Sequence, residues 1–208
     1  GRFSVTAPSA FGRRHVAPLM CAFLRKYPAV VGELTLSDHL VNLVDDGIDA
    51  AVRIGALKDS SFVARPIGAT RRVVVAAPKY LRRRRPGTPA DLAEHDVIQF
   101  TSLSTAPEWR FGDGARDERV ALAPRFRTNS ADAAIAYAEQ GGGLTMALSY
   151  QVADAVRAGR LEIVLADFEP PPLPIQIVYP TSRLLSAKVR AFVELAATSC
   201  DWTFLLRP

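Results

Sequence analysis

The chain has 208 residues, of which 49% are hydrophobic and 23% are charged, and this composition excludes disordered, collagen-like and disulfide-scaffold proteins. No apolar run approaches the roughly 18–20 residues that cross a bilayer, so an integral membrane protein is excluded too. The net charge of +5 invites a nucleic-acid function. However, the only dense basic run, residues 82–85, has no interleaved aromatic side chains to stack on bases, and we interpret it as a solvated helix end.

The first quarter of the chain alternates strand and helix patterns. Ser9 is predicted as the N-cap of the first helix, and Gly47 as a left-handed stop after the second. Strands are predicted at 2–6, 30–36 and 49–54, with helices at 9–27 and 37–44 between them. The second helix is expected to bury Leu40, Leu43 and Val44. This βαβαβ order predicts an open sheet wound by right-handed crossovers.

The remainder of the chain continues the α/β pattern. Asn129-Ser130 and Ser186 are predicted to cap helices. Strands are predicted at 71–77, 97–101, 109–111, 120–128, 144–148, 161–165 and 175–179, and helices at 90–95, 131–140, 151–158 and 187–197. The β-rich runs near 71–77 and 175–179 mark two places where the chain passes between lobes. We expect lobe I to comprise residues 1–76 and 179–208, and lobe II to be residues 77–178, inserted into it.

The cysteines and histidines show no metal-ligand spacing. Cys21 and Cys200 lie far apart and form no C-x-x-C motif, so neither a structural metal nor a cofactor is expected. Cys21 lies in a helical apolar pattern and is expected to be a buried free thiol. Two such cysteines fit a reducing cytoplasm.

The order and spacing of many segments together resemble the effector-binding domain of LysR-type transcriptional regulators. The resemblance extends from about residue 1 to residue 195. The segments that carry it are GRFSVTAPSAFGR at 1–13, FLRKYPAVVGELTLSD at 23–38, LVNLVDDGIDAAVRIGALKDSSFVARPI at 40–67, RRVVVAAPKYL at 71–81, TPADLAEHDVI at 88–98, W-x-F at 109–111, TNSADAAIAYAEQGGGL at 128–144, GRLEIVL at 159–165 and YPTSRLLSAKVRAFVE at 179–194.

The resemblance implies a fold like that of type 2 periplasmic binding proteins, with two Rossmann-like subdomains, two crossing strands and a ligand cleft between the lobes. It also implies a small acidic or polar organic effector and a homodimer. The first helix (13–26), the second strand and the partner's helix 131–141 would form the dimer contacts. In the family, a winged helix-turn-helix that binds DNA and a long linker helix precede this region, and the full-length regulator is expected to be a cytoplasmic tetramer.

Candidate effector contacts in lobe I lie at the carboxyl end of the first strand. Ser9, Ala10 and Phe11 begin the first helix, whose free N–H groups suit a carboxylate or another acceptor. Gly55 and Leu57 follow the third strand, and Gly55 would let the backbone approach a ligand closely. Simple N-capping by Ser9 and an ordinary turn at Gly55 are the alternatives.

Candidate effector contacts in lobe II follow the same logic. Phe100 and Thr101 end one strand, and Leu148 ends another. The next helix is preceded by Thr128, Asn129 and Ser130. These residues are expected either to contact the effector or only to cap the helix.

Catalysis has little support in the sequence. Asp45, Asp46 and Asp49 are interpreted as solvated carboxylates, and no G-x-S-x-G elbow is present. The alternatives to a regulator are a periplasmic solute-binding protein, which would need an export signal, and a metabolic enzyme, which would need a clustered acid/base set. The first fourteen residues show no such signal.

Overall fold

The computed structural model describes residues 1–39, 42–44, 46–56, 61–112, 115, 117–183 and 186–204. They form two compact units. The first comprises Gly1–Ala69 and Leu173–Thr203, and the second comprises Thr70–Pro172 and continues at Phe204. The chain therefore passes from one unit to the other three times, at 69/70, 172/173 and 203/204.

The first unit is built on a six-stranded sheet in the order β13-β4-β12-β3-β1-β2. Its strands are β1 (Arg2–Ala7), β2 (Val31–Leu36), β3 (Ala50–Ile54), β4 (Phe62–Thr70), β12 (Leu173–Pro180) and β13 (Trp202–Phe204). β1 pairs in parallel with β2 and β3, so the carboxyl ends of these strands share one edge of the sheet. β12 pairs antiparallel with β3.

The helices of the first unit cover this sheet. Three consecutive helical segments follow β1: α1 (Ser9–Phe11), a π-helical turn (Gly12–Val16) and α2 (Ala17–Lys26). α6 (Ala187–Ser199) begins at Ser186, whose hydroxyl accepts the N–H of Val189, as the predicted cap requires. The fully buried rings of Phe3, Phe23 and Phe192 meet with centroids 5.1–5.5 Å apart and join β1, α2 and α6 in one core.

The second unit is built on a five-stranded sheet in the order β11-β5-β10-β6-β9, with a separate two-stranded β7-β8 hairpin. Its strands are β5 (Arg72–Ala76), β6 (Val97–Phe100), β7 (Glu108–Phe111), β8 (Glu118–Ala121), β9 (Pro124–Thr128), β10 (Leu144–Leu148) and β11 (Glu162–Val164). β6 runs parallel to both β9 and β10. The helices are α3 (Pro78–Leu81), α4 (Ala131–Glu139) and α5 (Ser149–Arg157).

The second sheet is buried on both faces. On one face Val73, Val75 and Ala147 pack with the buried side of α4. On the other face Val74, Ala76 and Met146 pack with Trp109 and Phe111 of the hairpin. Alternate residues of one strand therefore belong to different cores, because successive side chains of a β-strand point to opposite faces of the sheet.

Several expectations are corrected by the fold. The predicted boundaries 76/77 and 178/179 differ from the unit boundaries because β5 pairs within the second sheet and β12 within the first. Strands β8 and β9 replace the single strand expected at 120–128, and they are separated just before Pro124. β4 and β13 were not predicted. Pro66 and Gly68 are unfavourable in a strand, so the sequence pattern does not indicate β4. Gly68 is needed because a Cβ there would lie 2.0 Å from the carbonyl oxygen of Trp202.

The segment between β2 and β3 also differs from the prediction. Its described residues form bends and turns rather than the expected helix 37–44, while Leu40, Val41 and Asp45 lie outside the described residues. Leu43 is buried as predicted, but Val44 is 63% exposed. Gly47 takes the predicted left-handed conformation with φ +64°.

Two polar groups also lie elsewhere than expected. The predicted solvated Asp49 is buried, because its carboxylate accepts the N–H of Ser4 at 3.0 Å across the β1–β3 ladder. The predicted buried Cys21 is exposed, because α2 buries Leu19, Met20 and Phe23 instead. No helix within the described residues is long and apolar enough to span a membrane.

Candidate functional site

The predicted contacts of the second unit gather at one edge of its sheet. Phe100 ends β6 and Thr128 ends β9, and the two residues are register partners in adjacent parallel strands. Leu148 ends β10, the other parallel neighbour of β6. Ligands of open α/β sheets bind at such carboxyl ends.

Hydroxyl groups organise this edge. The N–H of Thr101 donates to the carbonyl oxygen of Thr128 at 2.8 Å, and the Thr101 hydroxyl donates to the same oxygen at 3.2 Å. Ser102 Oγ donates to the carbonyl oxygen of Asn129 at 3.2 Å. The loop after β6 is thereby fastened to the segment that enters α4.

The N-terminus of α4 is capped from within the chain. Ser130 Oγ accepts the N–H of Ala133 at 3.3 Å, and Thr128 Oγ1 accepts the N–H of Ser130 at 3.1 Å. The capping alternative for Ser130 is therefore observed. Among the described residues the N–H of Ala131, the first residue of α4, has no such partner, so this end of the helix still offers a donor.

The two apolar residues among these predicted contacts, Phe100 and Leu148, are mainly buried in the protein interior. Phe100 is 8% exposed and belongs to the α4-side core, and Leu148 is 6% exposed. The N–H of Leu148 donates to Gln151 Oε1 at 2.8 Å and so begins α5. Neither side chain presents more than a small surface to a ligand.

The predicted contacts of the first unit also lie at one sheet edge, where β1 ends and α1 begins. Pro8, in an extended conformation, is the N-cap, and Ser9 is the first helical residue, so the prediction of Ser9 as the cap was wrong. Proline pre-sets the backbone angle before the helix and has no N–H to satisfy. The N–H of Ser9 donates to Asp38 Oδ1 at 2.9 Å, so a carboxylate of the chain already lies at this helix end.

Of the other predicted contacts in the first unit, Gly55 forms backbone hydrogen bonds and Phe11 packs in the core. Gly55 has φ +108°, its N–H donates to the carbonyl oxygen of Pro174 and its own oxygen accepts Gln176 Nε2 at 2.8 Å. Phe11 is fully buried against Trp202, with ring centroids 5.0 Å apart, so its side chain belongs to the core. Ala10 is half-buried, and Leu57 lies outside the described residues.

Thr6, one residue before the end of β1, begins the segment that the sequence places at this edge, but it was not among the predicted effector contacts. It is 2% exposed, and its hydroxyl has no hydrogen-bond partner. A buried hydroxyl without a partner is uncommon and needs an explanation. The available signal was a polar residue between two apolar strand residues, Val5 and Ala7, which are both buried.

Comparison with known proteins places this fold in a family. The profile of the LysR substrate binding domain matches residues 1–201. The chain belongs to the LysR substrate-binding domain family. The predicted resemblance is confirmed, and so is the α/β class with two Rossmann-like subdomains.

Curated relatives of this LysR domain are transcriptional regulators. The HTH-type transcriptional regulator PtxR of Pseudomonas aeruginosa is 34% identical over 195 residues, which cover 93% of this chain and 62% of PtxR. This chain thus spans less than two thirds of that relative.

Solved structures agree with the family assignment. The regulatory domain of CrgA from Neisseria meningitidis is similar with a TM-score of 0.80 and 26% identity, covering 95% of this chain and 97% of that one. The full-length Vibrio cholerae virulence activator AphB is similar with a TM-score of 0.81 and 26% identity, covering 95% of this chain and 67% of AphB.

Proposed function

We propose that this LysR domain senses a small organic effector and thereby controls DNA binding by an oligomeric transcriptional regulator. The observation that carries the proposal is that the predicted contacts gather, in each unit, at the carboxyl edge of parallel strands beside a helix start. Such edges bind ligands in open α/β sheets. An effector acts by binding one conformation of the regulator better than another.

The two edges suit different ligand groups. At the second-unit edge the N–H of Ala131 and the positive end of α4 favour an acceptor such as a carboxylate. At the first-unit edge the carboxylate of Asp38 already accepts the N–H of Ser9. A second anion there would be repelled, so we assign that edge to a neutral hydroxyl or amide of the ligand. Such a group would also give the buried Thr6 hydroxyl a hydrogen-bond partner.

The domain is proposed to act without catalysis, as part of a cytoplasmic regulator whose DNA contacts lie outside this domain. Its curated relatives are regulators rather than transport proteins or enzymes. A periplasmic solute-binding protein, the main alternative from the sequence, is therefore not favoured.

Self-association is proposed to use the face formed by α2 and β2 together with α4 of a second copy. β2 is an outer strand of its sheet and leaves Val31 66% and Leu36 41% exposed. An open strand edge with exposed apolar side chains needs a cover. A two-fold dimer would supply it with the same patch used twice.

A thermal-shift screen of small organic acids and aromatic metabolites tests the effector proposal. A ligand at about 100 times its Kd raises the free energy of unfolding by about 2.7 kcal/mol. For a hit, Ser9→Ala and Ser130→Ala should each weaken binding while the domain stays folded. Unchanged affinity in both variants would remove the site assignment.

A further inference from the structure

A pocket that the sheet-edge site does not include lies within the second unit. Its volume is about 400 Å³, within the range of small-molecule sites. Its lining residues come from β5, β10, the hairpin, the loop after β6 and the segment before β12, and they include Arg72, Trp109, Arg110, Asp117 and Met146.

The pocket lies on the hairpin face of the second sheet. Met146 is the register partner of Val74 in antiparallel β10 and β5, and Leu148 is the register partner of Arg72. Opposed residues and residues two apart share a face, so Arg72 and Met146 point to the same side. α4 covers the other face.

One part of the pocket wall is apolar. Trp109 and Met146 are 2% and 4% exposed and are fixed in the core beneath the hairpin. Leu103, Pro170 and Pro171 add further apolar surface. These three residues are less buried than Trp109 and Met146, so they supply the apolar surface that a hydrocarbon body would contact.

Two arginines and two carboxylates line the pocket, and the ion pairs that these groups form leave Arg72 without a counter-charge partner among the described residues. Arg110 pairs with Asp117 at 2.5 Å, and Glu108 pairs with Arg119 at 3.4 Å. Among the described residues no ion pair or hydrogen bond to the Arg72 side chain is found. Burial lowers the pKa of the Arg72 guanidinium, and the nearby charge of Arg110 lowers it further. Both causes disfavour a cation here and would be offset by a bound anion.

We propose that this pocket binds a small organic acid, with its carboxylate on Arg72 and its apolar body against Leu103, Pro170 and Pro171. A guanidinium donates two parallel hydrogen bonds to a carboxylate, and the half-buried position strengthens them. This site goes beyond the proposed effector contacts and shares only the sheet with them. Two ligands at separate sites of one sensor could be coupled in free energy.

The test is calorimetric titration of the domain with 3-phenylpropionate, with 3-phenylpropionamide as the neutral control. Arg72→Met should raise the Kd about tenfold or more, since a hydrogen-bonded charge pair is lost. The matched control is Arg85→Met, because Arg85 is an exposed arginine of the same unit paired with Glu162, and it should leave the Kd unchanged. Asp117→Asn should tighten binding severalfold, because it releases Arg110.

The outcomes separate this site from the sheet edges. Weak binding of the amide and unchanged binding in Ser9→Ala and Ser130→Ala support the pocket. The proposal would be overturned if 3-phenylpropionate does not bind at millimolar concentration, or if Arg72→Met and Arg85→Met lose affinity equally. It would also be overturned if Ser130→Ala loses affinity and Arg72→Met does not. The last result would support the edge site instead. If Arg72→Met fails to fold, Asp117→Asn still tests the pocket. The proposal is overturned if this variant binds 3-phenylpropionate no more tightly than the wild type does.

Discussion

Arg71 and Glu169 form a two-bond ion pair inside the second unit. Arg71 Nε and Nη2 donate to the two carboxylate oxygens of Glu169, each at 2.6 Å, and the side chains are 10% and 11% exposed. The pair fastens the start of β5 to the segment that leads to β12. Arg71 Nη1 is buried without a partner, so the guanidinium depends on Glu169 for its charge compensation.

Glu169→Gln should lower the free energy of unfolding by about 3–5 kcal/mol, because it leaves a buried cation without its counter-charge. Urea unfolding measures this change. The control is Glu162→Gln, which breaks the exposed pair with Arg85 at 2.9 Å and should cost no more than about 1 kcal/mol. Equal losses in the two variants would contradict the assigned burial of the Arg71–Glu169 pair.

Ser130→Ala should destabilise the domain by about 1 kcal/mol, since the hydroxyl caps α4. Ser9→Ala should change stability by less than about 0.5 kcal/mol, because Pro8 and Asp38 already order that helix start. Chemical unfolding of both variants checks the contrast. A larger loss in Ser9→Ala would show that its hydroxyl has a structural role.

Acidification should weaken the domain through His95. Tyr80 Oη lies 2.9 Å from His95 Nδ1 and accepts the N–H of Asp96 at 3.1 Å. Burial, followed by the charge of Arg84, lowers the pKa of His95 below its usual value. A histidine whose folded pKa is depressed binds its proton first in the unfolded chain, so stability is lost as the pH falls below about 6.5.

The measurement for His95 is the difference in Tm between about pH 7.5 and about pH 5.5. His95→Asn keeps an acceptor for Tyr80 but removes the titration, so its difference should be smaller than that of the wild type. Identical differences would show that His95 does not carry this pH dependence.

The two thiols should differ in alkylation rate by iodoacetamide. Cys21 is exposed, whereas Cys200 is half-buried and burial raises the pKa of its thiol, so less thiolate is present to react. Peptide mass spectrometry should find Cys21 modified first in the monomer fraction. In a dimer fraction Cys21 should become slow, because α2 lies on the proposed interface. Equal Cys21 rates in both fractions would contradict that interface.

Sequence reasoning succeeded where a local pattern determines the structure. Ser130 and Ser186 cap their helices as predicted because a β-region serine before an apolar periodic run satisfies the first N–H groups. The parallel strands and their shared edges followed from the alternation of strand and helix. These features place Thr101, Thr128 and Ser130 at one sheet edge, where hydrogen bonds join them.

The failures have tertiary causes. Pro66 and Gly68 contradict a strand locally, yet β4 forms because neighbouring strands pair with it. Asp49 is buried because a backbone N–H from another strand satisfies it. The Arg72 pocket is built from five separate segments, and no spacing along the chain could reveal it.

The proposed function depends on effector contacts at the sheet edge of each unit. Backbone amide NMR, recorded while the strongest hit of the thermal-shift screen is titrated into the domain, tests it most directly. The resonances of Ser9–Phe11 and of Asn129–Ala133 should each shift along a saturable curve. Saturable binding that leaves both sets of resonances unmoved would contradict it.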